Sequence, residues 1–193
     1  MVTIAVARGL RRSGVARPSP ADLVTLTRAI LGCAAARLVV DSRSGEPPAR
    51  QLFPLTVVAL ALDAVDGWVA RRTGTATPFG ARFDGETDAF LILTLSAQAA
   101  RAYGPWVLAA GVARYAFGAA GWALPWLRRP LPPRYWRKVA TATEGVALAA
   151  ALTSVVPRRV TGAGLIAGSV LIAESFGRDI WWLWRRRNGT PAE

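Results

Sequence analysis

Six long apolar segments, each bounded by proline, glycine or charged residues, limit the folds that this chain can adopt. Each segment approaches the roughly 20 residues that an α-helix needs to cross the hydrocarbon of a bilayer. The connections are short, as at Gly104-Pro105 and Pro157, and short connections favour antiparallel neighbours in one bundle. We therefore predict an all-α, integral membrane bundle of six transmembrane helices, over residues 23–40, 52–71, 84–100, 106–126, 139–156 and 160–184.

The sequence shows no internal repeat and no sign of a second domain, so we predict a single membrane domain over residues 1–193. Residues 1–18 form a juxtamembrane segment in which Val2, Val6 and Leu10 share one face, so a short interfacial helix is expected there. Residues 185–193 are expected to form a cytoplasmic tail.

The formal charge of +12 accompanies a chain that is 52% hydrophobic and contains eight tryptophans. A nucleic-acid-binding protein would carry its charge on amphipathic elements, whereas here the arginines bound the apolar segments, so no nucleic-acid partner is expected. They cluster before the first span, after the second, between the fourth and fifth, and after the sixth. The positive-inside rule then places both termini in the cytoplasm, and we expect a plasma or inner membrane location.

Eight residues between positions 63 and 88 form the pattern D-x2-D-G-x2-A-R-x8-G-x3-D-x3-D. Asp63 and Asp66 are three residues apart, and Asp84 and Asp88 four apart, so each pair projects from one face of a helix. Carboxylate oxygens suit hard ions such as Mg2+ or Mn2+, and a chain with no histidine and a single cysteine offers no softer site. Carboxylates inside a membrane span are costly unless paired or metal-bound, so the pattern indicates a functional site.

This pattern resembles the signature of the CDP-alcohol phosphatidyltransferase family, integral membrane enzymes that move a phosphatidyl-type group from a CDP-linked donor to an alcohol. Every fixed position of the signature is present. Residues 23–32 and 137–141 are more weakly similar to the family's first helix and to a basic turn that opens its fifth. The resemblance implies that an acceptor hydroxyl attacks the donor phosphorus and CMP leaves, with two divalent cations in the site.

The resemblance also implies roles for individual residues. Asp63, Asp66 and Asp84 are the expected metal ligands, and Asp88 is expected to be both a ligand and the general base. The residues expected to bind the CDP-linked donor are small, basic or hydroxyl-bearing: Gly67, Ala70, Arg71, Thr77 and Gly80.

Arg114 lies within the fourth span, and Arg137 and Lys138 open the fifth. In the family, cations in these regions hold the phosphate of a phosphorylated acceptor, such as inositol phosphate or glycerol phosphate. The alternatives are ordinary flanking charge for Arg137 and Lys138, and an ion pair for Arg114 with Glu144 or Glu174.

The main prediction is therefore an enzyme that uses CDP-diacylglycerol and a polar alcohol. A membrane cation carrier with the aspartates as its ion site is the alternative from another class. A homodimer is expected from the resemblance, and the GxxxG motif of Gly164 and Gly168 serves either that dimer or packing within the chain. Trp181, Trp182 and Trp184 are typical of an aromatic anchor at the membrane interface.

Overall fold

The computed structural model describes residues 20–42, 49–73, 78–132, 134–153 and 155–187, and within them leaves out the side chains of residues 20–22, 49, 66–71, 73, 78 and 79. In these ranges the chain forms α-helices joined by short turns, with no strand. The prediction of an all-α fold is confirmed for this part of the chain. The helices are α1 (Pro20–Asp41), α2 (Ala49–Thr73), α3 (Pro78–Tyr103), α4 (Leu108–Ala123), α5 (Tyr135–Ala151) and α6 (Arg158–Arg185).

The six helices correspond one to one with the six apolar segments, but not all of them have the length and hydropathy of a membrane-spanning helix. Among the described residues, the Leu23–Asp41 part of α1 and the whole of α6 are long and apolar enough to span. Helices α4 and α5 have 16 and 17 residues, which at 1.5 Å per residue is only about 24 to 26 Å. Helices α2 and α3 carry the charged motif. The six-span bundle thus stays a prediction, and the expected interfacial helix in residues 1–18 lies outside the described residues.

Proline and glycine set the ends of α3 and α4. Gly104 has φ +99°, a left-handed conformation that a residue without a side chain adopts readily, and its N–H donates to the carbonyl of Ala100 at 2.9 Å. Pro105 and Pro125 each open a short 3-10 turn, Pro105–Val107 and Pro125–Arg128. The predicted fourth span therefore consists of one α-helix with a 3-10 turn at each end.

Two compact units make up the chain, Met1–Leu91 and Ile92–Glu193, and the boundary between them falls inside α3. In the first unit α1 packs along α2, and Leu52 is completely buried. In the second unit α6 packs along α5 and more briefly along α4, around the completely buried side chains of Leu148 and Leu165. The expectation of a single membrane domain remains a prediction.

Small residues bring helices close together inside the second unit. A methyl group added at Gly111 of α4 would lie 2.7 Å from the Cα of Leu93. On α6, a methyl group at Gly168 would lie 2.9 Å from the Cα of Glu144 on α5, and one at Gly164 would lie 3.4 Å from the Cβ of Ala147. The GxxxG motif therefore serves contact between α5 and α6 within one chain, in the manner of close-packed membrane helices.

At the end of α6, three arginines stack on three tryptophans. The guanidinium of Arg185 lies 3.9 Å from the ring centre of Trp181, that of Arg186 lies 3.9 Å from Trp182, and that of Arg187 lies 5.4 Å from Trp184. Stacking of this kind is a cation–π contact. These contacts support the prediction that the tryptophans anchor α6 at a membrane interface, where amphipathic rings and basic residues are common.

Candidate functional site

Three of the four predicted carboxylates meet in the first unit. Asp63 lies on α2, and Asp84 and Asp88 lie one turn apart on α3, a spacing that puts both on one helix face. One carboxylate oxygen from each residue can be chosen so that all three lie within 4.8 Å of one another. Oxygens that share one Mg2+ at 2.0 to 2.1 Å are at most about 4.2 Å apart. The cluster therefore needs only a small contraction to hold a divalent cation.

A buried arginine from α1 lies among these carboxylates. The side chain of Arg28 is only 2% exposed, and its Nη2 lies 3.0 Å from the Oδ1 of Asp63. The same Nη2 donates to the Oδ1 of Asp88, and Nη1 donates to the Oδ1 of Asp84. A cationic group thus already lies among the three carboxylates, so the cluster accepts positive charge. Its donors are carboxylate oxygens, the type of ligand that hard ions such as Mg2+ prefer.

Arg28 is a site residue that our sequence reasoning missed. It falls within residues 23–32, the segment that resembles the family's first helix, but no role was given to its guanidinium. The signal was present, since a charged side chain inside an apolar span normally faces a partner within the protein. What the sequence did not provide was the identity of the partners, which lie 56 and 60 residues further along the chain at Asp84 and Asp88.

The fourth aspartate and most of the predicted donor site lie outside the described side chains. Asp66, Gly67, Ala70 and Arg71 are positions on α2 whose side chains are not described, and Thr77 falls in the undescribed segment between α2 and α3. Gly80 is the third residue of α3. The structure therefore leaves these assignments as predictions.

In the second unit Arg137 forms a bidentate ion pair with Asp179. Its Nε lies 2.8 Å from the Oδ2 of Asp179, and its Nη2 lies 2.9 Å from Oδ1. Asp179 is 4% exposed and belongs to α6, and it too was missed by the sequence reasoning. This paired geometry is the one with which arginine recognises carboxylate and phosphate groups. Arg137 is therefore more than a flanking charge.

The other predicted acceptor residues are exposed, Arg114 on α4 and Lys138 on α5. Of the two acids considered as partners for Arg114, Glu174 accepts a hydrogen bond from Trp136 Nε1 at 2.9 Å and pairs with Arg178 one turn later on α6. Glu144 is completely buried against Gly168. These placements leave the roles of Arg114 and Lys138 as predictions.

Comparison with known proteins identifies the class of this chain. A model of the CDP-alcohol phosphatidyltransferase family matches residues 19–176, which include Arg28 and the entire aspartate motif. The chain belongs to this family, and the resemblance inferred from the motif is confirmed. It is thus a membrane-embedded enzyme of the class that transfers a phosphatidyl group from a CDP-alcohol to an acceptor. No curated protein and no solved structure gives a significant match.

Proposed function

We propose that this protein is a Mg2+- or Mn2+-dependent transferase that moves the phosphatidyl group of CDP-diacylglycerol to a polar alcohol and releases CMP. Family membership provides the type of reaction. The observation that carries the metal dependence is the convergence of Asp63, Asp84 and Asp88 within 4.8 Å. The same family membership favours an enzyme over the alternative of a cation carrier.

We expect Asp63, Asp66, Asp84 and Asp88 to hold two divalent cations. When bound, such ions neutralise the donor pyrophosphate and stabilise the leaving phosphate. Arg71 is expected to contact a donor phosphate through its guanidinium, while Gly67, Ala70 and Gly80 leave room for the nucleotide and Thr77 contacts the cytidine.

Asp88 is the proposed general base. Its side chain is the least exposed of the three carboxylates, 25% against 32% for Asp84 and 44% for Asp63, so it is the one best shielded from bulk water. We propose that it accepts the proton of the acceptor hydroxyl while that oxygen bonds to the donor's diester-linked phosphorus. The bond from this phosphorus to the oxygen of CMP breaks, and CMP departs with the electron pair.

The acceptor is proposed to be a phosphorylated polyol such as inositol phosphate or glycerol phosphate. Arg114, Arg137 and Lys138 provide three cations in the second unit beyond those of the donor motif. The guanidinium of Arg137 already holds a carboxylate of Asp179 through two N–H donors, and a phosphate presents oxygens with similar spacing. We propose that Arg137 binds the acceptor phosphate from this position.

Substitution of Arg137 by glutamine is expected to raise the acceptor KM by about tenfold or more and to leave the KM for CDP-diacylglycerol nearly unchanged. A charge-assisted hydrogen bond contributes about 1.5 to 3 kcal/mol, and each 1.4 kcal/mol corresponds to a tenfold change in affinity. Steady-state CMP release with each substrate varied in turn measures both constants.

The matched variant is Asp179→Asn, which removes the carboxylate partner and keeps the arginine. If Arg137 binds the acceptor, this variant retains a low acceptor KM while Arg137→Gln does not. If Arg137 only pairs with Asp179, both variants lose thermal stability and neither changes the acceptor KM. Efficient use of an unphosphorylated alcohol would also refute the proposal.

We further propose a homodimer in a plasma or inner membrane, with both termini and the active site on the cytoplasmic side. The arginine clusters before α1, at the end of α2, between α4 and α5, and at the end of α6 support this orientation. Cys33 is exposed, so labelling starts from a Cys33→Ser background. Arg134→Cys is expected to react only from the cytoplasmic side and Ser44→Cys only from the opposite side; any other pattern contradicts the orientation.

A further inference from the structure

The contacts of Arg28 go beyond those of an arginine that neutralises one neighbouring acid. Its side chain is 2% exposed, and its two terminal nitrogens engage three different carboxylates on two helices, those of Asp63, Asp84 and Asp88. All three belong to the motif that the proposed function assigns to metal binding. One positive charge, on a buried side chain, thus faces three negative charges on partly exposed side chains.

The guanidinium and a divalent cation would draw on the same three carboxylates. Arg28 contacts the Oδ1 of each of them, and its Nη2 lies 3.0 Å from the Oδ1 of Asp63. A Mg2+ ion at 2.0 to 2.1 Å from that oxygen would lie within about 5 Å of the nitrogen. Two cations at this distance repel, and the burial of the guanidinium makes this repulsion stronger than it would be in bulk water.

We infer that Arg28 is the built-in counter-cation of the metal site: it holds the three carboxylates together in the metal-free protein and must release them when divalent cations bind. This inference rests on the proposed metal-dependent function. Without any cation the three carboxylates would repel one another at these distances. With Arg28 in place they are already gathered near the positions that a metal requires, so Arg28 is a positioning residue.

The arrangement has opposite consequences for stability and for metal affinity. Arg28 stabilises the metal-free protein, because it offsets part of the repulsion among the three clustered carboxylates. It weakens metal binding, because its contacts with the carboxylates must be broken first. Loss of the guanidinium is therefore expected to destabilise the metal-free protein and, at the same time, to tighten the binding of a divalent cation.

The test uses the purified full-length protein in detergent and Mn2+ alone as the probe. Free Mn2+ is followed by electron paramagnetic resonance during titration, and thermal unfolding is recorded in chelator and in saturating Mn2+. The variants are Arg28→Gln, which removes the charge, and Arg28→Lys, which keeps the charge but replaces the planar guanidinium fork with a single ammonium nitrogen. Arg37→Gln is the control, because Arg37 also lies on α1 but is exposed and pairs with Asp41 one turn away.

For Arg28→Gln we expect the Kd for Mn2+ to fall by about tenfold or more. Its unfolding temperature in chelator should lie below that of the wild type, and saturating Mn2+ should close this gap. For Arg28→Lys, the Kd for Mn2+ and the unfolding temperature in chelator should both fall, but by less than in Arg28→Gln. Arg37→Gln should bind Mn2+ with the affinity of the wild type.

Unchanged or weaker Mn2+ binding by Arg28→Gln, with wild-type binding intact, overturns the inference and leaves the proposed function standing. If Arg28→Gln does not fold, the Arg28→Lys variant decides the question: a Kd for Mn2+ equal to that of the wild type overturns the inference. An unfolding temperature in chelator equal to that of the wild type contradicts the role of Arg28 in holding the carboxylates together. If neither wild type nor variant binds Mn2+, and CMP release needs no metal, the inference and the metal-dependent function fail together.

Discussion

Substitution of Asp88 by asparagine is expected to abolish CMP release while leaving the protein folded. Asp88 lies within the carboxylate cluster. Asparagine has almost the same volume as aspartate, but it lacks the negative charge of a metal ligand and cannot act as the proposed base. General-base catalysis alone contributes about 10²- to 10⁴-fold to a rate, and we expect a loss of at least about a thousandfold. CMP release measures the activity, and thermal unfolding measures the fold.

Asp41→Asn is the matched control for this variant. Asp41 ends α1, is exposed, and pairs with Arg37 at 3.4 Å, so the same chemical change is made far from the motif in the sequence and outside the cluster. We expect nearly full activity. An Asp88→Asn enzyme that kept a tenth or more of wild-type turnover would rule out Asp88 as the base.

Substitution of Gly168 by alanine is expected to destabilise the packing of α6 on α5. The added methyl group would lie 2.9 Å from the Cα and 3.1 Å from the N of Glu144, and backbone atoms cannot move aside as a flexible side-chain end can. Overpacking of this kind costs about 1 to 3 kcal/mol. The expected result is a clearly lower midpoint of thermal unfolding in detergent.

Gly177 offers a control on the same helix, because a methyl group there meets nothing within 4 Å. Alanine is a better helix former than glycine by about 1 kcal/mol, so Gly177→Ala should be neutral or slightly stabilising. If Gly168→Ala left the unfolding midpoint unchanged but altered the oligomeric state, the GxxxG motif would act between subunits and the intrachain role described above would be wrong.

The helices could be predicted from the sequence because apolar runs mark where a chain can bury itself in a bilayer, but hydropathy does not mark where a helix begins. Helix α3 starts at Pro78, six residues before the apolar segment that begins at Asp84. Its first turns contain Arg82 and Asp84, which are compatible with a helix and unfavourable in hydrocarbon. The same difference explains why α2 starts at Ala49 rather than at residue 52, with Pro54 within its early turns.

The parts of the site that depend on the spacing of residues within one helix could be predicted from the sequence. The spacings of Asp63, Asp84 and Asp88 in the chain indicate carboxylates on shared helix faces, and the structure brings all three together. The pairings of Arg28 and Arg137 with distant acids could not be obtained in this way, because Arg137 and Asp179 are 42 residues apart and on different helices. Periodicity within one helix carries no information on which other helix it meets.

The carboxylate cluster is proposed to bind divalent cations that are needed for the transfer. This requirement is tested most directly by CMP release from CDP-diacylglycerol in the presence of a phosphorylated polyol, using purified protein with added Mg2+ or Mn2+ and, in parallel, excess chelator. We predict rapid release with either ion, no release in chelator, and recovery when the ion is restored. Full activity in excess chelator would contradict a metal-dependent transfer.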